Sequence, residues 1–197
     1  GSTHTVTARA LVLGVGALVL VYCARYFREH EAKDAVFGGQ LLAFAGAMFG
    51  LVTTDDLMVL YTFWEVTSVL SFLLIGYSGH RIFARRSAIT ALIVTTVGGL
   101  AMLAGLIMLA HMAGSWRISG VLAAAPRLLA DDGGRVLLEV AVGLVLIGAL
   151  TKSAQAPFHF WLPGAMAAPT PVSAYLHAAA MVKAGVFLVA RLAPEFH

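Results

Sequence analysis

Predominantly apolar residues run along this chain in six stretches, each close to the roughly 20 residues that cross a bilayer as a helix. They are Thr5–Ala24, with Arg9 snorkelling near its start, Ala35–Thr54, Leu57–Tyr77, Ser87–His111, Val136–Leu162 and Pro171–Ala190. Hydrocarbon offers backbone amides no water, and the alternation of a porin strand is absent, so the stretches are read as helices. The expected fold is all-α, a polytopic integral membrane helical bundle of about six transmembrane helices, one carrying a proline break. The Asp55-Asp56 link between the second and third spans is so short that those helices must run antiparallel.

The polar intervals orient the bundle. Arg25, Arg28 and Lys33 follow the first span and Arg81, Arg85 and Arg86 follow the third, whereas the Asp55-Asp56 turn on the opposite side carries no basic residue. The positive-inside rule makes the basic side cytoplasmic. Arg117, Arg127 and Arg135, in the segment His111–Arg135, count against that assignment. Within the segment, Ile118–Ala130 is expected as a short interfacial helix broken at Pro126. In the fifth span Pro157 removes a backbone donor and its ring clashes one turn back, so the helix should break or kink there. The sixth opens on Pro169-Thr170-Pro171, a helix-start signal. Irregular backbone at membrane depth is tolerated where it is buried in protein or lines a water-filled cavity, and transporters build polar sites that way. The plainer alternative for Pro157 is a kink that only shapes packing.

Composition agrees with the pattern. Of 197 residues, 60% are hydrophobic and 12% charged, at a mean hydropathy of +0.88, against about 25% charged in a soluble domain. Cys23 is the single cysteine, which excludes an internal disulfide and a cysteine-based zinc site. The pI of 9.3 reflects 13 Lys+Arg against 10 Asp+Glu, placed beside apolar runs; that is a membrane pattern and not a nucleic-acid surface. No G-x-x-x-x-G-K-[ST], H-E-x-x-H, G-x-S-x-G or C-x-x-C occurs, so nucleotide, metalloprotease and thiol redox chemistry find no support and no cofactor is expected. Without an initiator Met, and stopping just after an apolar run, the chain is read as a fragment of a longer protein. Its first apolar run is followed by another span and not by a cleavage site and a soluble domain.

Four side chains stand out against this background. Glu65 is the ninth residue of a 21-residue run, Lys152 lies inside the fifth span, and Lys183 is the thirteenth residue of the sixth, with His177 six positions earlier. A charge at a helix centre costs about 2.5–3.5 kcal/mol, so three unpaired charges cost on the order of 8–10 kcal/mol, comparable with the stability of a whole domain. Mutual pairing, a hydrated cavity or loss of charge must compensate. Thr62 and Ser68 lie three positions either side of Glu65, which predicts a polar stripe along that helix. Thr151, Ser153 and Gln155 surround Lys152, and Gly143 and Gly148 should admit a neighbouring helix. His177 and Lys183 are separated by about 240° of helix rotation, so they address different neighbours, as a relay requires.

A carboxylate, two lysines and a histidine so placed read as a proton pathway in which the charge of one group sets the proton affinity of the next. Each also has a structural reading: a static Glu65–Lys152 ion pair, a hydrogen-bonded interior His177, a snorkelling Lys183. Glu139 and Arg191 are expected as interfacial anchors, and Asp55-Asp56 as a simple turn in preference to a cation-collecting mouth. Tyr61/Phe63/Trp64 and Phe158/Phe160/Trp161 are expected to serve packing or the interfacial belt. His159 lines the break or sits at the headgroups, and both readings stay open.

Three motifs carry a family resemblance. Leu57-Met58-Val59-Leu60-Tyr61-Thr62-Phe63-Trp64-Glu65, with Ser71-Phe72-Leu73-Leu74-Ile75-Gly76-Tyr77, resembles the fifth transmembrane helix of the antiporter-like subunits of respiratory complex I and of Mrp-type cation/proton antiporters. Thr151-Lys152-Ser153-Ala154-Gln155-Ala156-Pro157-Phe158-His159-Phe160-Trp161-Leu162-Pro163 is similar to that family's broken seventh helix. Pro169-Thr170-Pro171-Val172-Ser173-Ala174-Tyr175-Leu176-His177 with Met181-Val182-Lys183-Ala184-Gly185 is similar to its eighth. Within the family, Phe158-His159-Phe160-Trp161 and Met181-Val182-Lys183-Ala184-Gly185 look most like the large A subunit of the Mrp Na+/H+ antiporter. Arg85-Arg86-Ser87-Ala88 stands where the complex I branch usually carries an Asn-Arg-containing motif.

The resemblance implies that Glu65 and Lys152 are the ion-paired residues of a proton half-channel, with His177 and Lys183 relaying along the central axis. It implies residues 1–34 as a first helix and cytoplasmic loop, and 35–197 as one of two inverted proton-translocating repeats. It further implies a secondary transporter component, not an enzyme, in a bacterial cell membrane. Its partners would be other membrane subunits of a hetero-oligomeric complex, protons and a monovalent cation, Na+ foremost. Two rival readings stand beside it: a proton-pumping membrane-arm subunit of NADH:quinone oxidoreductase or a related redox complex, and a scaffold with frozen ion pairs.

Overall fold

A computed structural model describes residues 6, 10, 14–18, 21, 31–78, 82–131, 133–166, 170–175 and 181–192. The helices with continuous bounds are α1 (Glu31–Thr53), α2 (Leu57–Ile75), α3 (Ile82–Ala113), α4 (Ile118–Ala130), α5 (Arg135–Lys152), α6 (Trp161–Ala165), α7 (Thr170–Ser173) and α8 (Met181–Leu192). Short 3-10 turns occupy Gly76–Ser78 and Phe158–Phe160. Among the described residues, three helices are long and apolar enough to cross a membrane: Ala35–Thr53 of α1, α2 and α3. Most of the first expected span lies outside the described residues, and the sixth is described over 170–175 and 181–192.

Local chemistry sets the helix ends. The Asp56 carboxylate caps α2 by accepting from the Met58 and Val59 amides at 2.8 and 3.0 Å. α3 begins five residues earlier than the sequence predicts and, at 32 residues, is about 48 Å long. That exceeds the roughly 30 Å hydrocarbon core, and its first turns carry the exposed Arg85 and Arg86. It stops where Gly114 takes φ +68°, with Ser115 donating to the Ala110 carbonyl at 3.1 Å and Gly114 to His111 at 3.3 Å; this Schellman ending favours glycine at the left-handed position. α4 corrects an expectation, because it runs unbroken through Pro126. Ile118, Val121, Ala125 and Leu128 make a buried stripe on one face, and that burial outweighs the one hydrogen bond the proline removes.

α3 is the central post, packed on α2, α4, α5 and α6, and its contact with α5 is the most extensive among the described elements. Small residues allow it. A methyl carbon on Gly148 would lie 2.5 Å from Met102 Cβ and 2.7 Å from the Gly98 carbonyl oxygen. Gly143, expected to serve the same close approach, has open space around it.

Two contacts fix the direction of the later elements. Gly164 of α6 sits against Ser87 near the start of α3, so the chain beyond α5 continues to the basic side. Arg191, at the end of α8, donates to the Thr54 carbonyl at 2.7 Å and pairs with the Asp55 carboxylate at 3.5 Å. α8 therefore ends on the side of the Asp55-Asp56 turn. The same carboxylate accepts from the Ser119 amide and hydroxyl at 3.1 and 2.5 Å, and the Asp55 carbonyl accepts from Ile118 at 2.7 Å. Asp55 thus joins three elements and Asp56 caps a helix, which makes the pair a structural turn. Arg191, expected as an interfacial anchor, ties α8 to this turn.

Because Gly148 abuts backbone, Gly148→Ala in the full-length protein should lower thermal stability by about 1–3 kcal/mol. Gly143→Ala should be neutral or mildly stabilising, as alanine is the better helix former. Thermal unfolding of the detergent-purified complex checks both.

Candidate functional site

The site is assembled where α5 stops. In a continued helix the Pro157 ring would strike the carbonyl one turn back, that of Ser153, and α5 ends one residue short of it, at Lys152. Ala154 takes φ +50°, and Ala154 and Gln155 donate back to Thr151 and Leu150 at 3.2 and 3.0 Å. This is a second Schellman ending, with alanine where glycine is favoured. The indole of Trp161 adds a hydrogen bond to the Thr151 carbonyl at 3.0 Å. The break expected at Pro157 is therefore a five-residue turn that starts at Ser153, and Lys152 is the last helical residue.

Lys152 is completely buried. Its Nζ donates to the Trp64 carbonyl, to Thr67 Oγ1 at 2.7 Å and to Ser68 Oγ at 3.1 Å, and lies 4.4 Å from the Trp64 ring centroid. The two hydroxyls donate in turn to that same carbonyl, Thr67 at 2.7 Å and Ser68 at 3.2 Å, which leaves their lone pairs for the ammonium. All three Lys152 protons are thus held by neutral acceptors on one face of α2, with a cation–π contact above.

Glu65 follows Trp64 and points about 100° further round α2, toward α3. Its Oε1 is buried and has no hydrogen-bond partner among the described residues. The expected Glu65–Lys152 pair makes no direct salt bridge. Among the described residues the salt bridges are Arg135–Glu139 at 3.3 Å and Arg191–Asp55 at 3.5 Å. The reason is angular: the face of α2 that meets the end of α5 is Trp64, Thr67 and Ser68, and the carboxylate lies beside it. The expected stripe of Thr62, Glu65 and Ser68 is corrected for the same reason. Thr62 is exposed and bonds its own helix at Met58, while the buried polar line is Thr67, Ser68 and Ser71.

Lys183 is exposed on α8, whose packed face is Met181, Ala184, Gly185, Phe187 and Leu188. The structure does not bring Lys183 against Lys152. The groove between α5 and α8, about 290 Å³ in volume, has an almost wholly apolar lining that includes Ala149, Leu150, Val186 and Val189. His177 lies outside the described residues. His159 is exposed, as is Glu139 in its surface pair with Arg135. Sequence reasoning missed Trp64 and Thr67 as partners of Lys152. The available signal was their spacing, since positions 64, 67 and 68 share one helix face.

With this geometry in place, similarity to known proteins is informative. The family described as NADH:quinone oxidoreductase/Mrp antiporter, TM, matches residues 54–197. The A/B component of a probable K(+)/H(+) antiporter of Rhizobium meliloti is 51% identical over 94% of this chain and 18% of its own length. The A component of the Na(+)/H(+) antiporter of Alkalihalophilus pseudofirmus is 48% identical over 94% of the chain and 23% of its length. In the solved structure of the Mrp complex from Dietzia sp. DQ12-45-1b, one chain superposes with a TM-score of 0.89 at 39% identity, over 98% of this chain and 21% of that one. The chain thus spans about a fifth of the length of the relatives it matches.

Removing one acceptor should leave a proton of the buried ammonium without a partner. Thr67→Val should cost about 1–3 kcal/mol of stability, and much less in a Lys152→Met background. A double-mutant cycle on thermal unfolding measures that coupling.

Proposed function

Because the chain belongs to the NADH:quinone oxidoreductase/Mrp antiporter, TM family, we propose that it is part of a membrane component of a multi-subunit antiporter exchanging protons for a monovalent alkali cation. The observation that carries the reading is Lys152, an amine completely buried midway along the bundle and held, among the described residues, by neutral partners alone. No acid among them neutralises it by direct contact, so its proton is the movable charge of the site. Glu65 on the adjacent helix supplies the opposing carboxylate. The two act as a coupled pair: an approaching cation or a shift of α5 changes the field at one group and so the proton affinity of the other. Trp64 Nε1, Glu65 Oε1, Ser71 Oγ and Ser153 Oγ are buried without partners among the described residues. They support entry of water, since such atoms are costly in a dry interior.

In this reading residues 35–197 form a proton-translocating repeat, preceded by the first transmembrane helix and cytoplasmic loop of residues 1–34. His177 and Lys183 pass the proton beyond this repeat, Lys183 from the exposed side of α8 toward protein outside the chain. The protein is then part of a secondary transporter and not an enzyme, driven by the membrane potential and pH gradient. The relatives are named for potassium in one case and sodium in the other, so the proposal extends to alkali cations as a class, with sodium foremost. The family name also covers redox-driven proton pumps. The antiporter names of relatives at 48–51% identity favour exchange.

Lys152→Ala and Glu65→Ala, each in the complete complex, should reduce cation-dependent proton exchange in everted vesicles to background. Glu139→Ala should leave it near normal, because that carboxylate is exposed and pairs only with Arg135 among the described residues. Near-normal exchange by Lys152→Ala overturns the proposal. Lys183→Leu should slow exchange, whereas a scaffold would show no change in rate.

A further inference from the structure

Two adjacent glycines on α3 lie level with both ionisable groups. Helical neighbours point about 100° apart, so Gly98 and Gly99 address different helices. The space a side chain at Gly98 would fill is occupied by Thr151, the residue before Lys152, whose Cβ is 2.6 Å from that point. The space at Gly99 is occupied by Glu65: its Oε1 would overlap an added methyl carbon, its carboxyl carbon would lie 3.3 Å away and Trp64 Cδ1 3.7 Å away. Glycine is the poorest helix former after proline, and α3 keeps two in succession at its middle.

The kind of atom filling each space separates Gly99 from three other close-packed glycines, and from Gly98, which faces the short, neutral Thr151 side chain. An added methyl at Gly105, Gly148 or Gly185 would meet backbone, the carbonyls of Ala141, Gly98 and Ala149 respectively. Backbone cannot give way cheaply, so those positions serve packing. At Gly99 the obstacle is the far end of a flexible side chain that ionises. The same carboxylate oxygen is buried without a hydrogen-bond donor among the described residues, so no polar contact from them fixes it there. Shape does.

We infer that Gly99 is a positioning residue for Glu65: the bare backbone of α3 forms the seat that keeps the carboxylate at the level of Lys152. This rests on the reading above, in which Glu65 takes part in proton exchange. A side chain at 99 turns the carboxylate out of its seat without disturbing helix packing, and shortening the acid by one methylene makes room again.

The test uses the full-length protein in its complex, with exchange measured in everted vesicles and assembled complex quantified in the same membranes. Gly99→Ala should assemble at the normal level and exchange at least about tenfold more slowly, since a misplacement of about 1 Å can cost on the order of 100-fold. In a Glu65→Asp background, Gly99→Ala should cost less than about twofold relative to Glu65→Asp alone, the recovery expected of a steric seat. Unchanged exchange in Gly99→Ala, or an equal fold-loss in both backgrounds, overturns the inference while leaving the antiport reading intact. Normal exchange in Glu65→Ala is a separate result: it overturns the role of Glu65 and the seat with it.

Discussion

The arrangement turns on one buried ammonium. Placing the Lys152 charge midway along a lipid-embedded bundle is unfavourable by several kcal/mol unless every proton on it is received. The receiving groups are gathered within little more than one turn of α2: a carbonyl, two hydroxyls and the face of an indole. That requirement sets the register of α5 against α2. The end of α5 just beyond the amine has a separate cause, since the Pro157 ring would strike the Ser153 carbonyl of a continued helix. The Schellman bonds and the Trp161 indole then satisfy carbonyls released by the ending.

Much of this was legible from residues alone. Apolar run lengths gave α1 and α2 to within a few residues, because hydrocarbon thickness and obligatory backbone bonding leave a helix little choice. The break was legible from Pro157, though not its start at Ser153, since the ring acts on a carbonyl one turn upstream. The early start of α3 was hidden by Arg85 and Arg86, which read as loop yet sit comfortably on a helix that outruns the bilayer. Pro126 misled in the opposite direction, because the buried stripe of α4 was given too little weight against a single lost bond.

The site was legible in its charged members and less so in its neutral ones. Glu65 and Lys152 announce themselves as charges in an apolar setting. Thr67 resembles any threonine in a membrane helix until the facing helix is known. Thr62 and Ser68 share a spacing from Glu65, but only Ser68 faces α5; helical periodicity places residues on a common face without saying which face is covered. Gly143 and Gly148 differ in the same way. The angle between carboxylate and amine, which keeps the expected pair from direct contact, is a property of helix packing that no spacing along one helix contains.

The Arg191–Asp55 pairing has a mechanical consequence. It fastens the far tip of α8 to the turn from which α2 springs, while the rest of that 12-residue helix rests on α5 through Gly185 and small neighbours. Two attachments bracket this part of α8: the ion pair at Arg191 and the close approach of Gly185 to the Ala149 carbonyl, six residues or about 9 Å apart along the axis. Held at both points, α8 acts as a strut. It couples the turn at the base of the helix that carries Glu65 to the last turn of the helix that ends at Lys152.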